Sequence, residues 1–299
     1  MFQTKRRIEN LLRAADLKPQ KRYGQHFLID RNLMNRLVNS ASIGLDDVVL
    51  EVGAGTASLT SLLADKAGAV VAVEADRHLL GIAAEQLHAR DVRNVDLIHT
   101  DILAAKHQIQ PEVLAALARQ RTSLGGRAAL VANLPFDIAT PLLMNLVLDH
   151  PTISLLCFTV QKEVGLRLLA HPGQHAYGAL SVLVQALTDP VRLGDVPRKA
   201  FWPQPNVDAV MLQLTHSAAR RSAAGDIAHL AATVRDLFGH RRKTLRHNLR
   251  LHYPQVATEP LAAAASIDLG RRPETLAVDE WVRLAQQLPP PVGERSGRD

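Results

Sequence analysis

A chain of 299 residues, 47% of them hydrophobic, can bury one full-sized core and a smaller second one. No stretch approaches the roughly 18 uncharged apolar residues of a membrane span, and the basic N-terminus, interrupted by Glu9 and Asp16, has no hydrophobic signal core, so a cytoplasmic location is expected rather than secretion. A single cysteine, Cys157, excludes a disulfide framework and a thiolate metal site, while the net charge of +6 gathers at Lys5-Arg6-Arg7, Lys18–Arg22 and Arg241–Arg250, a pattern that suits either a polyanionic partner or solvated faces.

In chain order, residues 1–20 read as a basic arm with one amphipathic stretch, Ile8–Leu17. Leu28–Ser42 has helical apolar spacing, with Asp30 placed to cap it. The β-branched run Asp47–Val52 stops at Gly53-Ala54-Gly55, and helical periodicity resumes over Thr56–Ala67, so the unit is strand, glycine turn, helix. A second strand is predicted at Ala69–Glu74, a helix from Arg77 to Ala89, and a third strand at Val95–His99 just before Asp101. Residues 102–126 read as polar helix, Arg127–Ala132 as a fourth strand, Thr140–Leu148 as helix and Ile153–Gln161 as a fifth strand. This rhythm predicts an α/β doubly wound sheet with ligands at the C-terminal strand ends. His216–Gly225 reads as a linker, Ile227–Leu288 as a small all-helical domain, and 289–299, rich in proline and charge, as a disordered tail.

Glycines at a strand-to-helix turn allow a ligand to approach the backbone, although Ser58 stands where a dinucleotide fingerprint requires glycine. Glu74, 19 residues beyond Gly55, ends the next strand, where a carboxylate can accept ribose hydroxyls; Asp101 after the third strand can accept from an adenine amine. Each acid alone also suits a helix cap, but the three consecutive strand ends together favour a nucleoside cofactor without phosphates. Asn133-Leu134-Pro135-Phe136 ends the fourth strand. An adenine amine is a poor nucleophile because its lone pair is delocalised into the ring. Acceptors on its N–H groups, the Asn133 side-chain oxygen and a backbone carbonyl directed by Pro135, localise that pair as the nitrogen becomes tetrahedral. Phe136 offers a face for a flipped-out base. Alone, the same four residues also suit a plain strand-ending turn.

Several further motifs occur in order: Tyr23-Gly24-Gln25-His26-Phe27-Leu28, Gln161-Lys162-Glu163-Val164, Tyr177-Gly178, Phe201-Trp202-Pro203 and Arg241-Arg242-Lys243-Thr244-Leu245. With Glu51–Gly55 and Asn133–Phe136, they make residues 17–285 resemble the KsgA family of ribosomal RNA adenine dimethyltransferases. The resemblance implies a Rossmann-like methyltransferase domain over 21–215 and a C-terminal helical domain over 226–288. It implies S-adenosylmethionine as cofactor, no metal, and dimethylation of the N6 amines of two adjacent adenosines near the 3′ end of 16S rRNA. It further implies coupling to small-subunit assembly on an immature 30S particle, and a monomer. Carried over by position, Gln25, His26 and Leu28 reach the cofactor from the arm, Gly53 and Gly55 hold its methionine portion, Glu74 its ribose and Asp101 its adenine, and Asn133 meets both the cofactor and the target amine, with Leu134, Pro135 and Phe136 completing the catalytic loop. Lys21, Arg22, Arg241, Arg242, Lys243, Arg246 and Arg250 are the expected RNA contacts. Of these, Arg242, Arg246 and Arg250 share a helical stripe with few acids nearby. Three positions depart from the family: His26 and Asp137 stand where asparagine is usual, and Phe136 where tyrosine is. Two rival readings remain, a non-catalytic ribosome-assembly RNA-binding protein and a 23S rRNA adenine methylase.

Overall fold

The computed structural model describes residues 3–19 and 24–289. Two compact units emerge: one holds the chain up to Gly165 together with Val191–Thr215, the other Leu166–Pro190 together with the chain from His216 onward. The sequence-based expectation of one domain over 21–215 therefore meets a division in which Leu166–Pro190 packs with the C-terminal helices. Lys21, Arg22 and the tail from 290 lie outside the described residues.

The first unit opens with helix α1 (Lys5–Ala14), capped by the Thr4 side chain, which accepts from the Arg7 amide at 3.4 Å. Strand β1 (Phe27–Leu28) leads to α2 (Arg31–Ser40), capped as expected by Asp30, whose Oδ1 accepts from the Asn32 and Leu33 amides at 2.9 and 3.0 Å. The elements β2 (Val48–Val52), α3 (Ser58–Ala64), β3 (Ala69–Glu74), α4 (Arg77–His88) and β4 (Val95–His99) follow. Residues 102–126 are not one helix. Leu103–Ala105 (β5) pairs with Gln108–Ile109 (β6) in a small hairpin, and α5 (Pro111–Leu124) starts only at Pro111, whose fixed φ and missing N–H suit the first turn. The chain continues through β7 (Ala128–Asn133), α6 (Ala139–Asp149), β8 (Ile153–Gln161), α7 (Lys162–Leu169), α8 (Ala179–Leu187), β9 (Thr188–Val196), β10 (Phe201–Trp202) and β11 (Ala209–His216).

Seven strands form one sheet in the order β4-β3-β2-β7-β8-β11-β9. Pairing is parallel from β4 through β8 and antiparallel between β8 and β11. Every residue of β2 and β3 is buried, as expected of parallel strands covered on both faces. From β2 the chain builds outward first through β3 and β4 and later through β7 and β8, so the order reverses between β2 and β7. The crevice beyond the carboxyl ends of those two strands is the ligand position of open α/β sheets, and Gly53 and Asn133 stand at its two sides.

The second unit, α8 with α9 (Ala218–Ala224), α10 (Ile227–Phe238), α11 (Leu245–His252), α12 (Thr258–Ala265) and α13 (Val278–Gln287), contains no strand beyond 216 among the described residues. Its core stacks Trp281 on Phe238, ring centroids 4.9 Å apart, with Tyr177 edge-on to Phe238. The predicted linker is helical over most of its length: Ser217 caps α9, and the alanines and arginines that read as polar spacer are strong helix formers.

Candidate active site

Gly53 and Gly55 have φ of +83° and +56°, values open to glycine at little cost. A Cβ on Gly53 would lie 3.2 Å from the Pro135 ring, and one on Gly55 3.1 Å from the Phe27 ring, so the turn is pressed between the Asn133 loop and the arm. The cavity there is lined by Gln25, His26, Leu28, Glu51, Gly53, Gly55, Thr56, Glu74, Asn133 and Pro135, among others. Eight of the expected site residues therefore meet in one place. A second cavity adjoins it across Gly53, Glu74 and Pro135, and is walled by Val52, Val73, Ala75, Asp101 and Ile102. Asp101 is exposed there, with one oxygen accepting from the Leu103 amide at 3.0 Å. An apolar slot with a carboxylate at its end suits an adenine ring and its amine.

Glu74 joins the two cavities and is almost fully buried. It was expected to offer both oxygens to a ribose, yet Oε2 already accepts from the Gly55 amide at 2.8 Å and Oε1 from the Asp76 amide at 3.0 Å. Each oxygen keeps one acceptor position, so the same carboxylate fixes the glycine turn and can still take hydroxyl donors. Burial raises its pKa. Asp76 caps α4 and also accepts from the Gln25 side chain at 3.2 Å, which ties the arm to this corner.

Glu51 was not among the expected site residues. It sits in β2, fully buried, and its Oε2 has no hydrogen-bond partner. Burial, with the Glu74 charge adding to it, pushes its carboxyl up to about 8. An orphaned carboxyl oxygen in the cavity wall beside the glycine turn fits the cationic amino group of a methionine moiety. Gln3 was missed as well: its buried side-chain amide donates to the Thr56 carbonyl at 2.7 Å and accepts from the Thr56 hydroxyl at 2.6 Å. Because Ile8 and Leu12 of α1 pack on Leu79 and Ile82 of α4, the amphipathic arm fastens the residue next to the glycine turn.

Asn133 ends β7, directly opposite Thr159 in β8. Its Nδ2 donates to the His26 carbonyl at 3.0 Å, and its Oδ1 accepts from the Thr159 hydroxyl at 2.5 Å. Leu134 is buried and anchors the loop, while Phe136 is half-buried. The Phe136 ring centroid lies 5.5 Å from that of His26 and 6.2 Å, edge-on, from that of Phe201. His26 Nδ1 is 2.7 Å from the Pro203 carbonyl oxygen, which can only accept, so Nδ1 carries a hydrogen. Phe27 stacks on Trp202 with ring centroids 6.2 Å apart, which gives that tryptophan a packing role. Asp137 is exposed, and nothing in the structure explains why an acid stands there.

The expected RNA contacts of the second unit divide. Arg241 Nε is 2.5 Å from Glu274 Oε2, and Arg246 is paired with Glu259, so the expectation of few nearby acids fails. Arg242 precedes Thr244, the cap of α11, and does not share a helical stripe with Arg246 and Arg250. Arg242, Lys243 and Arg250 are exposed. No group of three or more His, Cys, Asp or Glu among the described residues could hold a metal.

A parallel sheet with a glycine turn, a buried glutamate and an aspartate at three successive strand ends, and an Asn-Leu-Pro-Phe loop at the fourth, defines a Rossmann-like methyltransferase with S-adenosylmethionine as methyl donor. The chain belongs to the ribosomal RNA adenine dimethylase family, whose model matches residues 17–289. It is 38% identical to the ribosomal RNA small subunit methyltransferase A of Moorella thermoacetica over 93% of this chain and 95% of that one. Identity to the protein of the same name from Magnetococcus marinus is 40%, with the same coverage. Among solved structures, a dimethyladenosine transferase from Plasmodium falciparum shares the fold with a TM-score of 0.72 at 21% identity, covering 87% of this chain and 96% of that one. The 23S rRNA methyltransferase ErmE does so with a TM-score of 0.64 at 24% identity, covering 88% and 99%.

Proposed function

We propose that this enzyme dimethylates the N6 amines of two adjacent adenosines near the 3′ end of 16S rRNA, as a cytoplasmic monomer acting on an immature small subunit. The observation that carries the reading is that Asn133 lines the cavity enclosed by Gly53, Glu51 and Glu74, with the Phe136 ring packed against His26 of the same lining. Relatives at 38% and 40% identity that are named for the small subunit favour that target over the large one.

The methyl donor supplies an electrophilic methyl on a sulfonium. The residues hold it and present the acceptor. Glu51 faces the donor's amino group, Glu74 its ribose, and Asp101 its adenine amine. The target adenine leaves its stack and lies on Phe136, with His26 as a second ring beside it. The remaining lone pair on Asn133 Oδ1 and the Leu134 carbonyl accept from the two N6–H groups. They draw the nitrogen toward tetrahedral geometry and steady the positive charge it gains in an in-line displacement. No strong base is needed, because the methylated amine sheds its proton readily once formed.

Incorporation of tritiated methyl groups into unmethylated small subunits tests the reading, with primer extension across both rRNAs locating the product. The expected result is label at two neighbouring 16S adenosines from the wild-type enzyme, and a loss of about a hundred-fold or more in rate from Asn133→Ala. Label confined to 23S rRNA, or no label alongside normal RNA binding, would sink it.

A further inference from the structure

We propose that Thr159 is a positioning residue for methyl transfer, the donor that locks the Asn133 carboxamide in its working orientation. The inference deepens the proposed function and rests on its assignment of Asn133 to the target amine.

A carboxamide can sit either way round, and the two orientations present opposite hydrogen-bonding groups to whatever enters the cavity. Two neighbours decide the matter here. The His26 carbonyl oxygen only accepts, so it requires the amino end of Asn133, and Nδ2 lies 3.0 Å away. Thr159 is fully buried, and its hydroxyl has one proton to give; at 2.5 Å from Oδ1 it gives that proton to Asn133. Flipping the amide would set two acceptors against each other at His26, and would force Thr159 to accept where it now donates. The pair leaves Asn133 with one lone pair on Oδ1 and one hydrogen on Nδ2, so the acceptor offered to the target amine has a fixed direction.

Sheet register makes this contact. Asn133 and Thr159 are directly paired across the parallel ladder of β7 and β8, and residues so paired point to the same face. A hydroxyl at 159 therefore meets the side chain at 133 without any loop having to place it. A β-branched residue also suits the strand, so valine would supply the shape of threonine without its donor. The bond matters most at the transition state: the developing charge on the nitrogen rewards an acceptor already aimed at it, whereas binding of the cofactor rests mainly on the glycine turn, Glu51, Glu74 and Asp101 and gains little from the hydroxyl.

The test compares Thr159→Val, Thr159→Ser and Thr159→Ala with wild type and with Asn133→Ala, reading kcat and KM for small subunits, S-adenosylmethionine affinity by calorimetry, and Tm. Thr159→Val should lose roughly ten-fold in kcat, the worth of one hydrogen bond, with cofactor affinity within two-fold of wild type. Thr159→Ser should stay within about three-fold of wild-type kcat, and Thr159→Ala should fall with valine. Serine and alanine leave nearly the same cavity, so the contrast between them survives even if valine packs poorly. Equal kcat in serine and alanine variants, or a valine variant at wild-type rate, overturns the proposal. If Asn133→Ala also turns over normally, the fault lies in the assignment of Asn133; if Asn133→Ala is inactive while the valine variant is fast, Thr159 alone has been misassigned.

Discussion

Glu51 places an ionisable group in the middle of an apolar strand, with one oxygen unpartnered, and its folded pKa of about 8 stands well above the ordinary 4.5. A raised folded pKa means that the folded state holds the proton more tightly than the unfolded chain does. The associated stability is fully present below pH 4.5, and is lost progressively as pH rises through about 8. By pH 7 the loss amounts to about 3 kcal/mol. Glu51→Gln keeps the shape and removes the charge, so it should raise Tm relative to wild type at pH 8–9, and the two should converge near pH 5. A gap that fails to widen with pH rules this out. The same residue predicts that cofactor binding near pH 7 releases a proton, since an ammonium group beside Glu51 favours the carboxylate. Calorimetry in buffers of different ionisation enthalpy should show that release in wild type and lack it in Glu51→Gln.

The Phe136 ring is set between His26 and Phe201, at a position where the family resemblance implies a tyrosine. Stacking needs the face and not the hydroxyl, so Phe136→Tyr should keep kcat/KM for small subunits within a few-fold. Phe136→Ala should lose one base–aromatic stack, worth about 1–3 kcal/mol, or roughly ten- to hundred-fold in kcat/KM. Equal activity in the tyrosine and alanine variants would remove the base from Phe136.

At the scale of elements, the arm has a role that its position in the chain did not suggest. Helix α1 packs Ile8 and Leu12 on α4, and Gln3, just ahead of the helix cap, makes a two-way amide contact with Thr56, in the wall of the cofactor cavity. Gln3→Ala removes both bonds and leaves Thr56 with a buried carbonyl and hydroxyl to re-pair. We expect S-adenosylmethionine affinity to fall about three- to ten-fold with kcat at saturation little changed. Titration calorimetry decides it, and unchanged affinity would reduce the arm to a cover for α4.

The strand ends were legible in sequence because each closes a β-branched or apolar run with a residue of different chemistry: glycine at 53, glutamate at 74, asparagine at 133. The hairpin at 103–109 was not, since its pairing buries little and leaves no alternation to read. Nor was α9, whose polar composition hid its helix propensity. Thr159 and Gln3 escaped for a deeper reason. Their partners lie 26 and 53 residues away, and the contacts exist only once strand register and the docking of α1 are known. Glu51 was quoted within a motif, yet only burial shows that its carboxyl is unusual.

For the whole molecule, a net charge of +6 is a poor guide to where a polyanion binds, because ion pairs remove part of the basic surface from consideration. Arg241 and Arg246 are committed to Glu274 and Glu259, whereas Arg242 and Lys243 are exposed and belong to no ion pair among the described residues. Phosphate contacts release counterions, so each one adds about 0.7–0.9 to the slope of log affinity against log salt. Arg242→Ala with Lys243→Ala should therefore weaken rRNA binding evenly across sequences and flatten that slope by about 1.5, with cofactor affinity and Tm unchanged. Arg241→Ala should behave differently: it strands Glu274, so it should lower Tm while the salt slope stays near wild type. Filter binding from 50 to 300 mM salt, on about the scale where counterion release dominates, separates the two classes. If Arg241→Ala flattened the slope as much as the double variant, its pair with Glu274 would have to open on RNA, and the division of the basic cluster into structural and RNA-facing residues would fall.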